Sequence, residues 1–234
     1  MNLIVAKDLS KIYYSGEIEV KALKSLNFEI KSGSFLSFIG PSGSGKTTLL
    51  NLIGCLDKPT TGSLKVAEIL TSDLTRREAA AFRGENLGFI FQDFNLIPVL
   101  TVYENVEYPL LMVQNVPAEE RKERVRSLLE KVGMKDQMNK FPDQISGGQK
   151  QRVAVARALV SNPKLVLADE PTANLDSKTA FMVIDIMRQM RDEYGVTFIF
   201  STHDPKIVGE VETLFTLEDG LLVNIAKGSG GKNV

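Results

Sequence analysis

Gly40-Pro41-Ser42-Gly43-Ser44-Gly45-Lys46-Thr47 fits G-x-x-x-x-G-K-[ST] without a mismatch, and Thr48 follows it. The chemistry served by this spacing is the gripping of a polyphosphate. Glycines accept positive φ and let backbone N–H groups come close to an anion. A helix starting near Thr47 would point its positive end at the same anion. Lys46 adds a full charge for the β- and γ-phosphates, and the Thr47 hydroxyl can ligate Mg²⁺. A nucleoside triphosphate with its metal ion is the expected ligand.

Leu165-Val166-Leu167-Ala168-Asp169-Glu170 carries apolar residues along a strand and delivers two carboxylates at its C-terminal end, where α/β sheets place ligands. Asp169 is expected to hold Mg²⁺ through water. Glu170 is placed to orient or deprotonate the attacking water, an effect worth about 10²–10⁴-fold. Ser146-Gly147-Gly148-Gln149 is a second anion-binding helix start, with a serine N-cap and glycines for close approach. One chain does not need two such ends for one triphosphate, whereas a site built between two copies does.

Strands and helices must carry these groups. Leu26, Phe28 and Ile30 alternate with polar residues, and residues 3–39 read mostly as strands. Phe35-Leu36-Ser37-Phe38-Ile39 leads into the glycine loop, and residues 47–56 read as a helix. Ala118–Lys131 is amphipathic, with Val125, Leu128, Leu129 and Val132 on one face and Gly133 as a C-cap. Ser177–Tyr194 reads as another helix. The runs at 165–168 and 196–200 are apolar on both faces, as in a parallel sheet covered by helices. The Gly-Ser-rich residues 228–234 read as a flexible tail. With 43% hydrophobic and 24% charged residues, the composition is that of an ordinary globular domain. Twenty-eight Lys and Arg against 29 Asp and Glu leave a net charge of −1, which disfavours nucleic acid as a partner. Cys55 and His203 are the single residues of their types, so neither a disulfide nor a zinc finger can form within the chain, and a reducing cytoplasm suits it. No uncharged apolar run approaches the roughly 20 residues of a membrane-spanning helix, so any membrane role would come through a partner.

Ile145-Ser146-Gly147-Gly148-Gln149, which ends twenty residues before Asp169-Glu170-Pro171, resembles the signature motif of ATP-binding cassette ATPases, with Ile145 in place of the common leucine. The family's other landmarks follow in order. Tyr13 looks like the aromatic that stacks on adenine, with Tyr14 as the competing candidate. Gln92 resembles the Q-loop glutamine that contacts Mg²⁺ and water. Ala173-Asn174-Leu175-Asp176 is similar to the D-loop of the dimer seam, and His203 looks like the switch histidine facing the γ-phosphate. The resemblance implies an α/β fold. A P-loop NTPase core with a mainly parallel sheet would carry an N-terminal antiparallel β-subdomain and, at about 93–160, an inserted helical subdomain, all in one domain spanning 1–227. It also implies a head-to-tail homodimer holding two ATP molecules, each between the phosphate loop of one subunit and Ser146-Gly147-Gly148 of the other.

Within the family, the stretches 51–60, 91–98 and 99–106 look like the branch that contains lipoprotein-releasing and macrolide-exporting ATPases. A motor subunit of a membrane transporter is therefore expected at the cytoplasmic face of the plasma membrane, held there by an integral membrane permease. The resemblance leaves room for a periplasmic or extracytoplasmic accessory protein, and for mechanical signalling without transport. DNA-repair heads carry long coiled coils and translation-associated members carry two cassettes; this chain shows neither feature. The apolar residues of 94–111 are expected to grip the permease or to fill the core of the helical subdomain.

Overall fold

The computed structural model describes residues 1–16, 18–202 and 208–230. Strands β1 (Asn2–Ser15) and β2 (Ile18–Lys31) pair antiparallel, β3 (Phe35–Ile39) follows, and the glycine loop opens α1 (Lys46–Ile53). Next come β4 (Thr61–Val66), β5 (Ile69–Leu70), α2 (Arg76–Asn86) and β6 (Leu87–Ile90). Helices α3 (Val102–Met112), α4 (Ala118–Lys131) and α5 (Gly147–Leu159) fill the expected helical insertion. The chain returns through β7 (Leu165–Asp169), α6 (Ser177–Tyr194), β8 (Thr197–Thr202), β9 (Thr213–Glu218) and β10 (Leu221–Lys227).

The strands form two sheets. An antiparallel sheet runs β2-β1-β4-β5, and a six-stranded sheet runs β10-β9-β3-β8-β7-β6, parallel except for the β9–β10 hairpin. This is the expected mainly parallel core with an antiparallel N-terminal subdomain. Period-2 alternation divides the large sheet's side chains between two cores. Phe35, Val166, Phe198 and Phe200 face α5 and α6, while Leu36, Phe38, Leu167 and Ile199 pack toward α1 and the antiparallel sheet. Both faces are covered, and for that reason β3, β7 and β8 read as continuous apolar runs.

Capping fixes where the helices begin. Thr75 with Glu78, Thr101 with Glu104 and Ser146 with Gln149 each form a reciprocal capping box at α2, α3 and α5. Helix α2 was not legible from apolar spacing, because only Ala79 and Phe82 of its residues are buried. The expected flexible tail needs correction at its start: Gly228 N–H donates to Glu212 O at 2.9 Å and Gly230 N–H to Val211 O at 3.1 Å, so the chain stays paired beyond β10. No helix among the described residues is long and apolar enough to cross a membrane.

Candidate active site

A cavity of about 830 Å³ opens over the glycine loop. Pro41, Ser42, Gly43, Gly45, Lys46, Thr47 and Thr48 line it, together with Gln92 and Glu170 from across the sheet. Gly45 is the N-cap of α1 at φ 102°, and a Cβ there would meet Ala22 O at 2.6 Å; both the fold angle and the space demand glycine. Gly40, at φ 147°, stands behind the loop with Leu217 O only 2.0 Å from where a Cβ would lie. The hairpin that joins β9 to β10 thus buttresses the loop, and Gly220 N–H donates to Ser44 O at 3.1 Å. Lys46 is buried, its Nζ donating to the carbonyls of Gly40 and Pro41 at 2.8 and 2.9 Å. The ammonium is thereby held inside the cradle.

Asp169 ends β7 beneath this loop. Its Oδ1 accepts from Ser201 Oγ at 2.6 Å and lies 3.5 Å from the Thr47 hydroxyl. The same Ser201 Oγ accepts from Glu170 N–H at 3.1 Å. Glu170 sits at φ 47°, a left-handed conformation costing a non-glycine residue roughly 1–2 kcal/mol. Ser201, fully buried on β8 opposite Asp169, therefore fixes both the carboxylate that ends the strand and the reversed backbone that follows it. Nothing in the sequence marks Ser201, which is one of the polar residues that follow the apolar run ending at Phe200.

Ser146 caps α5: its Oγ accepts from Gln149 N–H at 3.3 Å, and Gln149 Oε1 accepts from Ser146 N–H at 2.9 Å. Neither lines the phosphate cavity. The two glycines differ in what surrounds them. A Cβ on Gly148 would lie 2.2 Å from Thr179 Cγ2, so α5 and α6 require glycine there for close packing. A Cβ on Gly147 would meet nothing nearer than 3.8 Å, so the chain's own packing gives no reason for that glycine. Asp176 caps α6, accepting from Thr179 Oγ1 at 2.6 Å and Thr179 N–H at 3.0 Å; these bonds hold its carboxyl below the usual range.

Residues 23–173 match the family model described as ABC transporter. The chain belongs to this family. An ABC transporter ATP-binding protein of Thermotoga maritima is 44% identical over 220 residues, covering 94% of this chain and 93% of that protein. The lipoprotein-releasing system ATP-binding protein LolD 1 of Caulobacter vibrioides is 40% identical over 230 residues, 98% of each. The ATP-binding cassette MJ0796, solved as a dimer in a post-hydrolysis state with ADP and Pi, superposes with a TM-score of 0.87 at 44% identity, covering 96% of this chain and 98% of that one. The cassette is an ATPase of the P-loop class, and ATP with Mg²⁺ is its ligand pair. The donors fit that ion: a hydroxyl from Thr47, a carboxylate from Asp169 and an amide oxygen from Gln92 are hard oxygen ligands. Among the described residues no group of three or more His, Cys, Asp and Glu could hold a metal, so the ion would complete its shell with phosphate and water oxygens.

The turn that follows Gln92 is strained and held from two sides. Phe94 and Asn95 both have positive φ, 62° and 47°. Arg157 of α5 donates to the carbonyls of both, at 2.8 Å to Phe94 O, and burial lowers its guanidinium pKa. Asn174 Nδ2 stands 3.1 Å from both Gln92 O and Asp93 Oδ1. Arg157 escaped the sequence reading, and Asn174 entered it only within the D-loop stretch, because their contacts with this turn lie 63 and 81 residues away in the chain. Of the two tyrosines, Tyr13 faces the loop. Its hydroxyl donates to Asp57 Oδ2 at 2.8 Å and also hydrogen-bonds with Thr48, and its cross-strand partner Val20 lines the cavity. Tyr14, on the other face of β1, is 68% exposed. Burial, and then the Asp57 bond, push the Tyr13 phenol above its ordinary pKa, so it remains a donor. His203 lies outside the described residues.

Proposed function

We propose that the cassette drives a partner membrane permease, either for lipoprotein release or for export of a drug or peptide. Two copies would enclose two ATP molecules. Gly147 stands where a side chain would meet only ordinary contacts, from 3.8 Å outward, on a helix start outside its own phosphate cavity, and this carries the reading: such a helix end suits the triphosphate of a second subunit. In this arrangement Lys46 and the loop amides bind the β- and γ-phosphates, and Thr47, Asp169 and Gln92 hold Mg²⁺, which screens phosphate charge when bound. Glu170 takes a proton from the attacking water, while Tyr13 stacks on adenine. Kinship with LolD 1, and with the macrolide export protein MacB of Syntrophobacter fumaroxidans (42% identical over 223 residues, 31% of that protein), supports the choice of cargo class.

A groove of about 360 Å³ beside the Q-loop supports a permease contact. Gly88, Phe89, Phe91, Asn95, Pro109 and Val113 are among its walls. Next to it Leu111, Met112 and Val113 are exposed at the end of α3, whereas Val102, Val106 and Leu110 fill the core and Leu96 packs against it. Of the apolar residues of 94–111, Val102, Val106 and Leu110 thus belong to the core, and exposed Leu111 is available for the proposed contact. Affinity purification of the Glu170→Gln protein from detergent-solubilised membranes with ATP tests the reading. Co-purification of an integral membrane protein supports it; ATP-dependent dimers carrying ribosomes or nucleic acid instead refute it.

A further inference from the structure

Lys11 lies two residues before Tyr13 on β1, with its Nζ 4.8 Å from the centre of the tyrosine ring. The ammonium donates to Asp57 Oδ1 at 2.6 Å and to Lys58 O at 2.9 Å. The other carboxylate oxygen, Asp57 Oδ2, accepts from the Tyr13 hydroxyl. One carboxylate thus holds both the cation and the ring. The Lys11 side chain is only 12% exposed, so its charge lies on the inner side of a ring that is itself 39% exposed. Burial pushes the Asp57 carboxyl up, but the bonds from Lys11 and Tyr13 outweigh it and keep the group ionised. Asp57 is in turn tied to the helix of the phosphate loop, since the N–H groups of Leu56 and Asp57 both point to Asn51 O, at 2.9 and 3.3 Å.

We infer that Lys11 and Asp57 are positioning residues for the nucleotide base: they back the Tyr13 ring with a fixed cation and leave its outer face for a purine. The inference rests on the reading of Tyr13 as the base-stacking residue. A cation under one face of an aromatic ring draws π density toward itself. The outer face becomes less negative and accepts the electron-rich purine with less repulsion. Because Thr48 and Asp57 bind the phenol from the loop helix and the turn after it, base platform and phosphate cradle keep a fixed spacing.

KM and kcat of the full chain for ATP and CTP, with a melting temperature for each variant, test this. Lys11→Met is expected to raise KM for ATP about fivefold with kcat within twofold, and to narrow the preference for ATP over CTP. Lys11→Arg, which keeps a cation over the ring, is expected to restore KM to within twofold of the parent. Tyr13→Ala is expected to raise KM about tenfold or more, from the loss of base stacking. If Tyr13→Ala raises KM but Lys11→Met does not, the inference is overturned and the stacking role stands. If Tyr13→Ala leaves KM at the parent value, the stacking role and the inference fall together. A Lys11→Met protein whose kcat and melting temperature fall, unrescued by Lys11→Arg, would make Lys11 a brace of the fold and overturn the inference.

Discussion

Alanine at Gly148 separates packing from ligand contact in the signature helix. The added Cβ would lie 2.2 Å from Thr179 Cγ2, while Thr179 Cβ and Oγ1 are at an ordinary 3.6 and 3.8 Å. The offending methyl is not free to swing away, because Asp176 holds Oγ1 at 2.6 Å. Overpacking of this kind costs about 1–3 kcal/mol. Replacing a helical glycine by alanine returns about 0.5–1 kcal/mol. A net loss near ~1 kcal/mol lowers the melting temperature of a chain this size by about 2–4 °C. One methyl makes the clash, so Gly148→Ala with Thr179→Ser should melt with the parent, since serine keeps the hydroxyl that Asp176 binds. Gly147→Ala, with nothing nearer than 3.8 Å, should melt at or above the parent yet fail to pair with ATP in the Glu170→Gln background. Calorimetry and sedimentation velocity give the two readouts. A Gly148→Ala protein as stable as the parent, or unrescued by Thr179→Ser, refutes the packing argument; ATP-dependent dimers of Gly147→Ala refute a contact across the interface.

Ser201→Ala removes the bridge between Asp169 and the Glu170 backbone, so turnover should fall at least tenfold and the Mg²⁺ concentration for half-maximal rate should rise, while metal-free ATP binding stays near the parent; an unchanged Mg²⁺ dependence would count against the bridge. Met112→Glu and Val113→Asp should abolish stimulation by a permease in reconstituted vesicles and leave basal hydrolysis intact. Asp93 and Leu96 are poorer probes, since the first meets Asn174 and the second packs on the core. Burial pushes the Cys55 thiol up to about 11, so at pH 8 it should react with a disulfide reagent far more slowly in the folded chain than in denaturant; equal rates would show that the site opens readily.

The sequence made the phosphate loop and the carboxylate pair legible because their chemistry depends on neighbours along the chain. Gly45, Lys46 and Thr47 share one turn, and Asp169 and Glu170 share one strand end. The parallel strands were equally visible, since burial on both faces leaves an uninterrupted apolar run at 165–168. What stayed hidden was whatever depends on tertiary contact. Helix α2 buries too little to show a period, and its start is announced only by Thr75 and Glu78. Ser201, Arg157, Asn174 and Asp57 look like ordinary polar residues until folding sets them against Asp169, the Q-loop and Tyr13. The distinction between Gly147 and Gly148 is likewise invisible in a pair of identical letters, and it arises only because α6 passes one of them.

The strained turn at Phe94 and Asn95 has a consequence for the direction in which signals can run. Asn95 lines the groove proposed for the permease, and its carbonyl is held by the same helix that begins at Ser146. A permease seated in the groove and ATP seated in the cavity would then be two ligands joined through one turn, and any influence they have on each other is a single free energy read from either end. Whatever factor the nucleotide adds to permease affinity, the permease must add to nucleotide affinity. A partner that tightens ATP binding cannot, on that account, be one that ATP expels.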